Sequence, residues 1–489
     1  MAGGRIAGSR ATVTAPLGAC LAAVLTAVVI VPNLWAPLSP FDGGITSSAA
    51  TFTLHGQLPY RDYWLLYGPL GGWLLAIPTA IAGPSVLLMQ LSGLAVALGQ
   101  AAIGYLLVRR WAGHFVSLLV GVAAACVPPL FLGLSLAAWS LGLLLALIAL
   151  YLIFETTASP WLAGFVLGLA FLTRLDVGGY ALLAAMAGRN RAQVLAGIAL
   201  TVAPVLALLL ATTPPAWLFD QLVWYPLVAQ RQFRGLSGAD AFVGSGAGWI
   251  LLVPTVVVPR LAILAALIGI VLTRPRPRSL IALTAFAILC QFQTLNRPDL
   301  PHQAQAALPG ILLVGWWFRG GPLRLPRLGA LAAVTAACVV VSLLSFGWLT
   351  IGRDATYDTA LLRAIAMVRR ETARDEPIFV GLTSHRYTVV NPLIGYYLAD
   401  RRAGTRYTLF NPGITNTAPV QEEMASQLAA SGTRYLLLDR TYAEFSQGAT
   451  PGATVLDDFI ARSFVVRCDL GPVVIMVRAD VAPPVGGCD

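Results

Sequence analysis

Lysine is absent from this 489-residue chain, so all 32 basic residues are arginines. Charge of either sign is scarce. Only 11% of the residues are charged, against about 25% in an average soluble protein. Histidine occurs four times and cysteine six times. No CxxC or HExxH spacing occurs, which removes the commonest zinc-site and metalloprotease readings. The formal net charge of +10 is not gathered into a basic stripe interleaved with aromatics, so nucleic acid is excluded as a partner. Hydrophobic residues, by contrast, make up 57% of the chain. They fall in apolar runs that recur over the first 350 positions, many of them reaching the ~18 residues that mark a membrane span. Backbone polar groups in lipid need internal partners, and the runs do not alternate in polarity, so they read as helices rather than barrel strands.

The runs place helices at roughly 15–34, 86–107, 115–134, 136–154, 161–173, 177–188, 192–212, 250–273, 279–296, 304–318 and 328–350, about eleven in all. The pair 161–173 and 177–188 is short and reads either as a helical hairpin or as one kinked helix. The first run continues into Asn33-Leu34-Trp35 without a small-residue cleavage site, so it reads as a retained helix, not a removed signal. Arg5, Arg10, Arg109, Arg110, Arg189, Arg191, the RPRPR at 274–278, Arg319, Arg324 and Arg327 then fall on one side. By the positive-inside rule that side is cytoplasmic. Asp42, Asp62, Asp176, Asp220, Asp240 and Asp299 fall on the other side, and Glu155 is the exception.

Residues 351–489 change character. Charged residues become frequent, and strand-like runs (PIFVGL, RYLLLD, GPVVIMVRA) alternate with helical patterns such as APVQEEMASQLAASG, which ends on a glycine. The chain is therefore expected to have two parts: a multi-pass membrane domain over 1–350, with an outer loop at 35–85, and a small extracytoplasmic α/β domain over 351–489. The end beyond Val481 reads as disordered. Cys20, Cys126, Cys290 and Cys338 lie in apolar runs and read as small buried hydrophobes. Cys468 and Cys488 can pair if the tail lies outside the cytoplasm.

The first outer loop carries the chemistry. In SPFDGGITSSAATFTLHGQLPYRDYWLLYGP, Asp42 stands beside a Gly-Gly pair and reads as a loop aspartate. A carboxylate at the membrane edge can act as a general base toward a hydroxyl. Gly43 and Gly44 allow close approach to the backbone. Four further groups could hold an anion. Arg174 either does so or pairs with Asp176. Arg260 interrupts an apolar run, where a charge costs roughly 2.5–3.5 kcal/mol at mid-membrane; it either faces a cavity or marks the end of a shorter helix. Arg297 and His302 flank a proline-started helix. The aromatic stretch at 214–235 reads as an interfacial helix, and Asn411, Asn416 and Gln421 read either as sugar-binding amides or as turn caps.

The motifs GxLPYRD and YGPLGGWLLA after an early outer acid, and GFVLGLAFLTRLDVGGYALLA further on, resemble the GT-C superfamily of polytopic glycosyltransferases. The similarity is to its bacterial family 39-like members, the aminoarabinose transferases of lipid A included. Two departures stand out: Arg174 replaces the usual lysine, and the usual Asp-Glu pair is Asp42-Gly43. The resemblance implies a helical membrane bundle with an outer α/β domain, in a bacterial plasma membrane. It implies transfer of a sugar, with inversion, from a polyprenyl-phosphate donor to an envelope glycan, lipid or protein. No cofactor is implied, and a divalent metal is left open. Asp42 matches the base position, and Asp62 is a candidate for the missing second acid. Tyr60, Arg61, Arg174, Arg260, Arg297 and His302 are the candidate substrate-binding groups. Two other classes stay open: a flippase or transporter of a lipid-linked or anionic substrate, and a non-catalytic envelope-assembly protein. A transporter would be expected to show inverted repeats, and no repeat is visible.

Overall fold

The computed structural model describes residues 7–35, 39, 41–129, 133–229, 252–272, 277–295, 300–318, 359–387, 390–411, 413–441, 451–481 and 488. Thirteen helices precede the sheet region among them: α1 (Ala7–Ile30), α2 (Asp42–Leu54), α3 (Leu70–Ala82), α4 (Val86–Arg109), α5 (His114–Cys126), α6 (Ala138–Glu155), α7 (Pro160–Thr173), α8 (Leu175–Ala185), α9 (Arg191–Thr212), α10 (Pro215–Phe219), α11 (Val258–Leu272), α12 (Arg278–Gln293) and α13 (Leu300–Leu313). Single turns of 3-10 helix, Val31–Trp35 and Val314–Phe318, extend α1 and α13. A π-helical stretch, Asp220–Ala229, continues α10, and another, Val253–Val257, leads into α11. The C-terminal region contains α14 (Thr359–Glu371), β1 (Pro377–Leu382), α15 (Ile394–Ala399), β2 (Arg402–Ala403), α16 (Ala418–Ala430), β3 (Tyr435–Asp439), α17 (Val455–Ser463), β4 (Phe464–Asp469) and β5 (Val473–Arg478).

Five of the described helices are long and apolar enough to cross a membrane, and further apolar helices of 10–17 residues accompany them. The protein is a multi-pass membrane protein. The expected span at 328–350 lies outside the described residues. The span expected at 115–134 stops at Cys126, just before Pro128-Pro129, which cannot continue the hydrogen-bond ladder. Of the two readings of 161–188, the hairpin holds. Arg174 is extended (φ −155°, ψ 113°) between α7 and α8, and a Cβ on Gly178 would stand 2.8 Å from the backbone of Phe171. The two helices fold back on each other at that distance.

The chain forms two compact units. Unit 1 comprises Met1–Ala36, Gln90–Val205 and Ser237–Asp354. Its core is a continuous apolar cluster from α4 to α8, α11, α12 and α13, with Leu143, Leu147, Leu167, Phe286, Leu308 and Leu312 wholly buried.

Unit 2 comprises Pro37–Met89, Leu206–Leu236 and Ala355–Asp489, so the stretch after α1 groups with the C-terminal region. Its sheet has the order β2-β1-β3-β5-β4. Strands β1, β2 and β3 run parallel, and β5 is antiparallel to both β3 and β4. The three expected strand runs form β1, β3 and β5. The edge strands β2 and β4 were not foreseen, because the two residues of β2 carry no periodicity and β4 is exposed at Val465 and Val466. The helix expected at APVQEEMASQLAASG is α16, and Gly432 follows it at φ 71°. Cys468 and Cys488 are disulfide-bonded, with Cα atoms 5.3 Å apart.

Two helices, α2 and α3, occupy the stretch read as a loop. Helix α2 escaped notice because Gly43 to Phe52 are all buried, mostly small residues packed on every side, so no amphipathic period exists to read. Glycines permit that closeness. A Cβ on Gly72 of α3 would lie 2.9 Å from Ala49, and one on Gly44 would lie 2.5 Å from the backbone nitrogen of Ile394. The segment 391–409 and α2 are therefore packed almost backbone to backbone. Side chains lock the same contact. The Gln57 amide accepts from Ala403 N–H at 3.0 Å, donates to Ala403 C=O at 3.4 Å, and so covers the free edge of β2. Trp64 N–H donates to Arg406 C=O at 2.6 Å. Tyr397 Oη lies 3.3 Å from both Thr79 Oγ1 and Ser85 N. Arg401, nearly buried, donates to the carbonyls of Arg369, Thr372, Ala399 and Asp400, and so caps the C-terminus of α14.

Candidate functional site

Asp42 opens α2 and is not a loop residue. Ser39 Oγ donates to Asp42 Oδ2 at 2.9 Å, and Asp42 N–H donates back to Ser39 Oγ at 3.1 Å. This reciprocal pair resembles a capping box and fixes the carboxyl at the half-buried first turn. Oδ2 is engaged by Ser39, while no hydrogen bond to a described residue falls on Oδ1. Along the same helix face, Ile45 and Ser48 line a small cleft with Tyr63, Trp64, Leu393 and Thr408. The Trp64 indole N–H is buried with no hydrogen-bond partner among the described residues.

The turn after α2 carries Tyr60, Arg61 and Asp62. Its backbone closes through Tyr60 N–H to Tyr63 C=O and Asp62 N–H to Leu58 C=O, both 2.9 Å. Tyr60 sits at φ 66°, unusual for a bulky residue, and its buried hydroxyl donates to Tyr67 C=O at 2.7 Å. Burial pushes the Tyr60 phenol well above its usual range. Tyr60 is thus built into the turn. Asp62 takes two hydrogen bonds from Arg61 (Nε and Nη2, each 2.8 Å) and one from Leu58 N–H at 2.8 Å. Burial works to raise its pKa, but the Arg61 bonds, the Leu58 bond and the charges of Arg61 and Arg402 outweigh it and hold Asp62 low. A carboxylate so engaged is a weak base and a strong anchor for Arg61, whose side chain remains 42% exposed.

The same turn is held from α10 and its π-helical continuation, which form over the stretch expected to be an interfacial helix as far as Ala229; 230–235 lies outside the described residues. The Gln221 amide spans the turn, and Tyr225 meets the Trp64 ring edge-on at 6.0 Å. Arg406 stacks on Trp217 at 3.8 Å and pairs with Glu423 at 3.0 Å. Asp220 is raised by burial, against the charge of Arg406. Gln57, Trp64, Gln221 and Arg406 escaped the sequence reading. The one signal available was a polar Asp-Gln pair inside the aromatic run AWLFDQLVWYP.

The remaining candidates lie in unit 1. Arg174 donates to Asp176 at 2.8 Å and stacks over Trp139 at 4.1 Å, so the ion-pair reading holds there. Arg260 is exposed in the first turn of α11 and makes no ion pair with a described residue. His302 is half-buried in the first turn of α13. Arg297 lies outside the described residues. In the C-terminal region Gln421 is fully used inside the fold: it donates to the carbonyls of His385 and Thr415 and accepts from Leu456 N–H. Asn416 caps Gly413 N–H at 2.7 Å. These two amides are turn and loop pins. No group of three or more metal-ligating side chains occurs among the described residues.

No family model matches the chain, and no curated protein sequence does. Solved structures do. The chain is similar to ArnT from Cupriavidus metallidurans bound to undecaprenyl phosphate, with TM-score 0.57 and 14% identity over 97% of this chain and 100% of that one. It is similar to the apo state of the same protein, with TM-score 0.52 and 15% identity over 96% and 98%. The arabinofuranosyltransferase AftD from mycobacteria aligns with TM-score 0.45 and 15% identity, over 94% of this chain and 41% of that one. Across almost its whole length, then, with a helical membrane part and a small C-terminal sheet, the chain adopts the GT-C fold.

Proposed function

We propose that the protein is a membrane glycosyltransferase that moves a sugar from a polyprenyl-phosphate carrier to an acceptor hydroxyl on the extracytoplasmic face of a bacterial plasma membrane. The observation that carries this reading is the full-length fold match to ArnT bound to undecaprenyl phosphate. It is supported by a capped but half-open carboxylate, Asp42, at the start of α2.

In this reading Asp42 Oδ1 takes the proton of the acceptor hydroxyl. The acceptor oxygen forms a bond to the anomeric carbon as the bond from that carbon to the phosphate oxygen breaks. One displacement inverts the anomeric centre, and the polyprenyl phosphate leaves as an anion. Cationic groups serve the leaving phosphate. Arg61 is held by Asp62 with its remaining donors toward solvent, and a guanidinium fork suits phosphate oxygens. An exposed charge in an apolar span, such as Arg260, calls for an anion or a wet cavity. Asp62 serves as the anchor of Arg61 rather than as a second base.

The test is transfer of radiolabel from polyprenyl-phosphate sugars to endogenous acceptors in membranes containing the protein. Asp42→Asn should retain folding and carrier binding but reduce turnover by roughly 10²–10⁴-fold, the usual worth of a general base. Transfer that is undiminished in this variant would remove Asp42 from the mechanism. A labelled lipid that crosses the membrane without transfer would replace the enzyme with a flippase.

A further inference from the structure

The turn that presents Arg61 is not held by its own hydrogen bonds alone. Tyr60 sits in the left-handed region at φ 66°, a conformation that costs a non-glycine residue about 1 kcal/mol or more. Such a conformation persists only where the surroundings over-determine it. A double restraint from outside the turn comes from a residue about 160 positions away. Gln221 Nε2–H donates to Tyr60 C=O at 2.8 Å, and Gln221 Oε1 accepts from Leu65 N–H at 3.0 Å. Its side chain bridges the two limbs of the turn in the manner of a missing strand. Gln221 is 1% exposed, so water does not compete for either bond. It stands near the start of the π-helical stretch Asp220–Ala229, a helix form found frequently at functional sites. Tyr225, four residues on and also 1% exposed, packs edge-on against Trp64 and steadies the same limb.

We propose that Gln221 is a positioning residue: its amide fixes the Tyr60–Leu65 turn so that Arg61, anchored on Asp62, meets the phosphate of the lipid carrier. The inference rests on the glycosyltransferase reading above and adds a residue that touches neither substrate nor reacting atoms. The chemistry needs an amide. A glutamate keeps the acceptor for Leu65 N–H and loses the donor to Tyr60 C=O. A methionine keeps the length and loses both.

The full chain in nanodiscs is titrated with undecaprenyl phosphate, and amide exchange is followed at the 58–67 segment. Gln221→Met should speed exchange at Leu65 and weaken undecaprenyl phosphate binding about 10-fold, the loss expected for ~1.4 kcal/mol. Gln221→Glu should keep Leu65 protected and fall between. In an Arg61→Ala background Gln221→Met should cause no further loss of binding, a non-additivity that a general fold defect does not produce. Wild-type affinity in Gln221→Met overturns the proposal, as does an equal loss with and without Arg61. If the wild-type chain itself fails to bind undecaprenyl phosphate, the carrier reading falls and takes the role of Arg61 with it. An unaltered Leu65 exchange in Gln221→Met shows instead that the clamp is wrong, whatever the ligand.

Discussion

One methyl group at Gly44 tests how tightly the start of α2 is tied to the C-terminal region. The perturbation is Gly44→Ala. Its Cβ would fall 2.5 Å from Ile394 N, 2.5 Å from Leu393 Cβ and 2.8 Å from Leu393 C. Ordinary contact begins near 3.4 Å, so the two segments must part by about 1 Å. Backbone atoms stand in the way, not the swinging end of a side chain, so the strain has no cheap outlet. Overpacking of this kind costs roughly 1–3 kcal/mol. The larger effect should be on turnover. Asp42 is two residues away in the same helical turn, and a displacement of ~1 Å in a catalytic group can cost on the order of 10²-fold. Gly71→Ala is the control: its Cβ would meet only the Thr46 side chain, Cγ2 at 3.3 Å and Oγ1 at 3.8 Å, within the same helix pair. The assay is thermal unfolding in detergent together with label transfer in membranes. Gly44→Ala should lose stability and most of its transfer, while Gly71→Ala should stay near wild type in both. A Gly44→Ala protein as stable and as active as wild type would refute the backbone-to-backbone packing of α2 on 393–394.

Acid should loosen the same region. Asp400 accepts from His55 Nε2 at 3.1 Å and pairs with Arg374 at 2.8 Å. The His55 bond is the largest cause that holds its pKa below the ordinary 3.8, with Arg374 adding to it against the effect of burial. A carboxyl that is more acidic folded than unfolded stabilises the fold above its unfolded pKa. That contribution is lost as the pH falls through 3.8 and on through the lower folded value. Asp400→Asn should therefore be less stable at neutral pH and should show a flatter decline in melting temperature below about pH 5. Reduction of the Cys468–Cys488 bond, which closes a 20-residue separation, should destabilise unit 2 by about 3 kcal/mol in the chain-entropy account. A melting scan with and without reductant, with Cys488→Ser as a second arm, measures it.

The five long helices among the described residues were legible because an 18-residue apolar run has one reading in lipid. The strands β1, β3 and β5 were legible because buried central strands are continuous apolar runs. Helix α2 was not: Gly-Gly beside an aspartate looks like a turn, and a helix buried on all sides by alanine, serine and threonine shows no period. The acids at 42 and 62 drew attention through their rarity. Their roles did not follow from the sequence, since the Ser39 cap and the triple engagement of Asp62 depend on local geometry. Gln221 was hidden for another reason. A single amide has no motif, and its two partners lie in a segment that sequence distance conceals.

The stretch around α2 and the residues that complete it lie far apart in the order of synthesis. Gln57 and Ala403 are separated by 346 positions, and a ribosome adding ~5–20 residues per second needs roughly 20–70 s to span them. Through that interval α2, already able to pack on α3, must wait with its other packing partner, the segment 391–409, still unmade. Nascent chains arrested before residue 393 should thus expose α2 to protease, whereas release of the finished polypeptide should bury it. A chaperone that tends unpacked helices at the membrane surface would have this waiting period as its window of action.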